Sequence, residues 1–492
     1  MSANDIITES RPCGKLELWC VYRADLKCYL NVNVSCLYST QDGSKQDAKS
    51  LEESVRLALL KRVIPENALL GCSIEETNSE KCYFKSQAWS LAELPIEILD
   101  GSSNVEQVIC ATHNTALPVS LPWKVQILPA SESSVDNNKF WLSFTFHHAI
   151  ADGSSGLIFH KKLLAALNEG IDDATVPSAR DSLPQPIEVR LDVRPGPVML
   201  LGELWQIVPL PSFVKRWFSP SCYLGQSTTL QQRVRTQCRL RSLVLPADSV
   251  AKLRGTSKKA AVSIHALIHA ALLHAFSDLI GQTPKASQNI KAYTPINLRP
   301  LLKGQQDIIA NYVSTHASSL QPRSTLVETA KAFYKEINQP GSRSKALQLL
   351  GLFNYIDNHA PRQVKVNEKK DSVTSDGSIS RVASRLVAGM QNFVMERLER
   401  ATETSLSGTF EISNLGNWQP KNTSKEASRL GIDDVIFSGS NGPIGELINL
   451  CVVTLAGGPM RIIFSYRTNF ISEEMVDSLV QLFETHLAKL CA

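Results

Sequence analysis

The stretch of this 492-residue chain best suited to proton chemistry is His147-His148-Ala149-Ile150-Ala151-Asp152-Gly153. An imidazole titrates near pH 6.5, so it can take and return a proton at neutral pH, and a placed general base is worth roughly 10²–10⁴ in rate. An aspartate at a helix start caps free amides and meets the positive end of the helix. Asp152 fits that position. Gly153 would either permit a tight helix start or let a substrate approach the backbone. Adjacent histidines are also ordinary loop polarity, so residue types alone leave catalysis open.

The flanking pattern supplies the elements that hold the stretch. Residues 139–146 alternate, with Phe140, Leu142, Phe144 and Phe146 on one face and Trp141, Ser143 and Thr145 on the other, which predicts a strand. Continued strand parity would put His148 on the phenylalanine side and His147 opposite. Residues 155–167 predict a helix, and Gly170 its end. The motif therefore lies on a strand–turn–helix.

Elsewhere the periodicity predicts a strand over 29–38 and an amphipathic helix over 48–63. The second half predicts a strand over 238–245, a helix over 263–276, and a strand over 290–294 running into Pro295-Ile296-Asn297-Leu298-Arg299-Pro300. Strands over 450–455 and 460–466 follow, joined across Gly457-Gly458. Met475, Leu479, Leu482, Phe483, Leu487 and Leu490 then share one face of a closing helix. Eight prolines between residues 171 and 232 mark a long crossover. The expected division is 1–175, a linker over 176–232, and 233–492. Within the linker the apolar segment 199–218 either packs into the interdomain groove or touches a membrane surface. The polar segment 364–380 predicts an exposed loop.

Hydrophobic residues make up 43% of the chain and charged residues 20%, ordinary globular usage, and the net charge is only +4. That balance argues against nucleic acid as the main partner, because binding phosphate backbones needs a dense basic face. The polar start lacks the pattern of a signal peptide, and no run reaches the ~18–20 apolar residues of a spanning helix. Eleven cysteines, an odd count without CxxC or Cys/His metal spacing, and the missing secretory signal suggest free thiols in a reducing compartment. The expectation is a cytoplasmic protein, with peripheral membrane contact as the alternative.

The full HHxxxDG string resembles the signature of the CoA-dependent acyltransferase superfamily, which includes chloramphenicol acetyltransferases and peptide-synthetase condensation domains. Gly14-Lys15-Leu16-Glu17 with Arg23 and Tyr29-Leu30-Asn31-Val32 resembles the opening of its fungal alcohol acetyltransferase branch. The segments 295–300 and Phe410-Glu411-Ile412-Ser413-Asn414-Leu415-Gly416 resemble second-half motifs of the same branch. No DFGWG motif of the plant branch is present.

The resemblance implies an α/β (α+β) fold of two chloramphenicol acetyltransferase-like domains, each a mixed sheet flanked by helices, with a solvent channel between them. It implies acetyl or short-acyl transfer from acyl-CoA to the hydroxyl of a small-molecule alcohol, with His148 as general base and no acyl-enzyme. It also implies that Asp152 pairs with Arg299 to hold the catalytic loop, with His147 and Gly153 in support. Acyl-CoA is then a co-substrate and no cofactor is permanently bound. A monomer is expected, because one chain carries a complete site. The alternatives are a condensation-type enzyme with a carrier-bound acyl donor, and a silent binding protein on the same scaffold.

Ser413 and Asn414 are candidates for stabilising the oxyanion, unless Ser-Asn-Leu-Gly is simply a turn. Lys258 and Lys259, in a run expected to be a loop before the 263–276 helix, are candidates for CoA phosphates. His265 and His269 have metal-ligand spacing, but His274 falls half a turn away and no acid completes a set. No metal is expected.

Overall fold

The computed structural model describes residues 9–25, 27–43, 47–76, 82–100, 104–130, 138–175, 178, 181–197, 199–200, 222–223, 225, 236–281, 289–304, 306–353, 406–420, 429–442 and 445–492. The segment 364–380 and nearly all of 199–218 lie outside the described residues. In the first half the chain forms β1 (Ser10–Pro12), α1 (Lys15–Asp25), β2 (Val32–Thr40), α2 (Ala48–Ala58), β3 (Cys72–Glu76), β4 (Cys82–Ser86) and β5 (Ile96–Ile98). Then come α3 (Val105–Thr112), β6 (Trp123–Pro129), β7 (Lys139–Phe146) and α4 (Gly153–Glu169). The second half forms β8 (Cys238–Leu245), α5 (Ala247–Ala260), α6 (Ile264–Gly281), β9 (Ala292–Asn297), β10 (Val313–Ser318), α7 (Leu326–Ile337) and α8 (Pro340–Leu352). It closes with β11 (Gly408–Trp418), β12 (Leu430–Gly439), β13 (Glu446–Leu455), β14 (Met460–Arg467) and α9 (Glu473–Cys491).

Two mixed sheets dominate, one ordered β12-β2-β7-β6-β5 and the other β10-β9-β11-β13-β14-β8, beside a small β1-β4-β3 sheet. The strand expected over 139–146 is β7; it is paired with β2 and β6 along its two edges, and every residue from Phe140 to Phe146 is buried, so both of its faces are covered. Its inward Ser143 and Thr145 hydroxyls would be costly unpaired. The Asn33 amide donates to each at 2.8 Å. On the other face Phe144 stacks on Phe159 of α4 at 3.7 Å between centroids. Gly170 ends α4 in the left-handed region, φ 71°, where glycine bears no Cβ penalty.

The second sheet is covered on both sides. Ile448, Leu450 and Val452 of β13 join the core built with α6 and α9, while Cys451, Val453 and Leu455 join the core of the first lobe. A period of two thus buries the sheet between its own helices and the opposite lobe. Strand β12 crosses over from the second half and pairs antiparallel with β2, from Leu430 opposite Thr40 to Gly439 opposite Val32. The first lobe's sheet is completed by residues far away in sequence.

Three local expectations change. The strand expected over 29–38 begins only at Val32, the run at 254–259 is the second half of helix α5 rather than a loop, and Ser413-Asn414-Leu415-Gly416 lies within β11 rather than in a turn. In β11 the ladder to β13 supplies more hydrogen bonds than a turn would, and the turn-prone residues are accommodated by a register shift between Asn414 and Asn417. One described helix, α6, is long and apolar enough to cross a membrane, and most of it is buried inside the second lobe.

Candidate active site

Strand β7 stops at Phe146, just before the histidine pair, so strand parity does not decide where the two rings go. A tight turn does. The His147 amide donates to the Pro122 carbonyl at 2.8 Å, and the Ile150 amide to the His147 carbonyl at 3.2 Å. His147 is buried, and its Nδ1 accepts the Ala149 amide at 3.0 Å. Burial, then the nearby His148 and Arg23, depress its pKa to about 3. His147 is thus a neutral brace of the turn.

His148 is half-buried, its carbonyl accepts the Asn311 side-chain amide at 2.8 Å, and its Nδ1 is buried with no hydrogen-bond partner. Its ring lies 5.6 Å from that of Tyr29. Burial, followed by the Arg23 charge, lowers its pKa to about 4, against a weaker opposing pull from the backbone of His148 and Ala151 and from Asp152. The resting imidazole is neutral at pH 7, the form that accepts a proton.

Asp152 is the N-cap of α4. Its Oδ1 accepts the Ser155 amide at 2.9 Å and the Ser155 hydroxyl at 3.0 Å. Its Oδ2 accepts Arg299 Nη1 at 2.7 Å and the Tyr312 amide at 2.9 Å. Burial alone would raise the carboxyl pKa, but Arg299 and the two amides outweigh it and lower the pKa. Arg299 Nη2 donates to the Ala310 carbonyl and to Ser155 Oγ, each at 2.8 Å. Asp152 and Arg299 thus form an ion pair, with both side chains nearly sealed from solvent. Gly153 answers a packing demand: a Cβ there would sit 2.8 Å from Phe437 and 2.9 Å from Leu415.

Leu415 belongs to β11, so that strand meets the start of α4. Phe410 and Ile412 face the second core, which leaves Glu411, Ser413 and Leu415 on the opposite, half-buried face. Ser413 stands across from Cys451 of β13. Asn414 alternates to the other side of the strand, and its Oδ1 accepts the Gly416 amide at 2.8 Å. The two oxyanion candidates therefore part company, Ser413 toward the first lobe and Asn414 into a local bulge.

Lys258 and Lys259 are exposed in the last turn of α5, where cations suit the helix end, and a short connection leads from them to the start of α6. His265 and His269 pack against Phe333, the latter stacked at 3.7 Å, and His274 Nε2 lies 2.8 Å from the Thr329 hydroxyl. Among the described residues no group of three or more His, Cys, Asp or Glu is arranged to hold a metal ion. All eleven cysteines are free thiols.

Ser155, Asn311, Tyr312 and the pair Arg23–Tyr29 were not read as site residues from the sequence. Arg23 and Tyr29 did carry part of the opening motif. Ser155 stands three residues after Asp152, where a helix cap finds its amide, so that spacing could have found it; Asn311 and Tyr312 had no local signal, because they reach the loop from some 160 residues further along the chain.

The alcohol acetyltransferase family model matches residues 100–487, more than half of the chain. The chain belongs to the alcohol acetyltransferase family. Two curated relatives of this family member are an uncharacterised protein of Schizosaccharomyces pombe, 24% identical over 92% of this chain and 91% of its own length, and the protein called probable alcohol acetyltransferase crmB of Aspergillus fumigatus. The second is also 24% identical, over 71% of this chain and 69% of that one.

Among solved structures the alcohol acetyltransferase chain is similar to TRI3 trichothecene 15-O-acetyltransferase from Fusarium sporotrichioides, with TM-score 0.65, 12% identity, and coverage of 98% of this chain and 95% of that one. It is also similar to the epimerization domain from the third module of tyrocidine synthetase B, with TM-score 0.60, 12% identity, and coverage of 100% and 99%. At such identities the likeness is one of fold. It is the two-lobed chloramphenicol acetyltransferase-like fold, shared with the first condensation domain of the calcium-dependent antibiotic synthetase at TM-score 0.55, 13% identity, and coverage of 98% and 97%. Membership of that family makes the protein an acyltransferase.

Proposed function

We propose that the protein transfers an acetyl or other short acyl group from acyl-CoA to the hydroxyl of an alcohol, with His148 as general base. The observation that carries this reading is a neutral, half-buried imidazole whose Nδ1 is closed off, leaving Nε2 for the substrate. Nε2 takes the hydroxyl proton as the oxygen bonds to the thioester carbonyl carbon. The carbonyl π electrons move to oxygen, where the Ser413 hydroxyl donates to the growing charge. Collapse of the tetrahedral intermediate breaks the C–S bond, and the imidazolium returns its proton to the CoA thiolate. Protons and charge balance without an acyl-enzyme, so no cysteine is needed.

Asp152 and Arg299 act on this reaction by holding the loop. Lys258 and Lys259 are the cations we assign to the CoA phosphates, on the strength of their exposure and their closeness to the α6 start.

The test is thiol release from acetyl-CoA over a panel of alcohols, comparing wild type with His148→Ala. The variant is expected to lose roughly 10²–10⁴ in rate, and turnover equal to wild type overturns the assignment. Offering an acetyl-loaded carrier protein in place of acetyl-CoA tests the condensation-type reading, which would show the reverse donor preference.

A further inference from the structure

The His148 imidazole has no carboxylate behind it, because Asp152 is engaged by Arg299 and Nδ1 is unpartnered. The backbone of His148 and Ala151 acts on the ring from within the loop, and a further contact reaches it from outside. Helix α1 carries Arg23 in its last turn, and the chain doubles back by donating the Cys28 and Tyr29 amides to the Arg23 carbonyl, at 2.7 and 3.2 Å. This turn brings the Tyr29 ring to 4.8 Å from the Arg23 guanidinium and to 5.6 Å from the His148 ring, with 53° between the two ring planes. The guanidinium also lies 5.8 Å from the Trp19 ring, its Nη2 is 3.6 Å from Cys20 Sγ, and its Nε is buried without an acceptor.

We propose that Arg23 and Tyr29 are positioning residues for His148: Tyr29 sets the plane of the imidazole, and the Arg23 charge, held on the Tyr29 ring, opposes a second positive charge there. The inference rests on the reading of His148 as the general base. Arginine suits the task because it stays charged at every working pH and stacks on aromatic faces, whereas a lysine ammonium is a hydrated point charge that readily shifts its pKa. The result is a base that rests in its proton-accepting form at neutral pH.

The other charged and titratable groups around the ring do not replace this effect. On its own loop stand His147, which is neutral, and Asp152, which is bound to Arg299. From α1 come Cys20 and Arg23, and the Tyr29 phenol follows, its pKa raised by burial. From the second lobe, β11 brings Glu411 and β13 brings Glu446 and Cys451. Burial raises all three, so they cancel the Arg23 charge only in part. Burial and the Arg23 charge are the two causes that lower the His148 pKa.

The decisive measurement is the titration of the His148 imidazole by heteronuclear NMR in ring-labelled protein, assigned by loss of its signal in His148→Gln. In Arg23→Met the midpoint is expected to rise by about half a unit or more, and the acid limb of kcat/KM to move with it. Arg23→Lys keeps the charge and so restores the low midpoint. In Tyr29→Leu, kcat is expected to fall about tenfold or more through lost orientation, with KM for acetyl-CoA little changed, and Tyr29→Phe should recover most of that loss.

An unmoved midpoint in Arg23→Met, or wild-type kcat in Tyr29→Leu, overturns the proposal. Should Arg23→Met fail to fold, Arg23→Gln and Tyr29→Leu carry the same decision. If wild type transfers nothing from acetyl-CoA, the functional reading fails. The NMR midpoints still decide whether Arg23 acts on His148.

Discussion

The Asp152 carboxylate lies 2.7 Å from Arg299 and accepts from Ser155 and from the Tyr312 amide, so its hydrogen bonds go to these groups and not to the His148 imidazole. Asp152→Asn is therefore expected to cost stability first, about 3–5 kcal/mol, because it leaves a buried guanidinium without its counter-charge. Thermal and denaturant unfolding check this. A wild-type melting curve together with lost activity would show that Asp152 takes part in proton transfer after all.

The two oxyanion candidates are expected to separate in kinetics. Ser413→Ala should lower kcat by roughly 10²–10³-fold with little change in KM, the usual loss when one oxyanion donor is removed. Asn414→Ala, which loses only the bond to the Gly416 amide, should leave kcat within about twofold while costing roughly 1 kcal/mol of stability. Equal losses at both positions would refute the assignment of Ser413.

Gly153→Ala tests the packing at the start of α4. The new methyl would press on Phe437 and Leu415 at under 3 Å, and relieving this costs about 1–3 kcal/mol. Because the glycine adjoins the catalytic loop, kcat should fall as well. Adding Phe437→Leu to Gly153→Ala should recover both. A single variant as stable as wild type would show that β12 and β11 yield easily here.

Acid affects activity and stability differently. The His148 pKa is about 4 in the folded chain, against about 6.5 when unfolded. Above pH 6.5 the ring is neutral in both states. Between 6.5 and 4 the unfolded chain takes up a proton that the folded chain refuses, so stability falls as the pH is lowered. His113 and His147, near 3, and His160 and His265, near 4, act in the same direction. Melting temperature should thus drop from pH 7 to pH 5, while kcat/KM of the still-folded enzyme stays within about twofold. An acid limb centred near pH 6.5 would contradict this prediction.

Short-range features were legible in the sequence: β7, the turn, α4 from Asp152 to Gly170, and the β13–β14 hairpin all follow from periodicity and capping over a few residues. The Asp152–Arg299 pair came from the family resemblance, since no spacing rule connects residues in different lobes. The failures are equally local in origin. Ser413-Asn414-Leu415-Gly416 has turn-forming residues, yet the neighbouring strands of a covered sheet override that preference.

By itself, the sequence determined which residues could move a proton and that a strand and a helix would present them, because side-chain chemistry and backbone periodicity are properties of adjacent residues. It took folding of the whole chain to bring Tyr29 beside His148, to set Asn311 and Tyr312 against the loop, and to complete the first sheet with β12. Those contacts join residues a hundred or more positions apart, or turn on how a loop is packed. They are set by strand register and by the burial of two apolar faces against each other, and neither is written in any single stretch of chain.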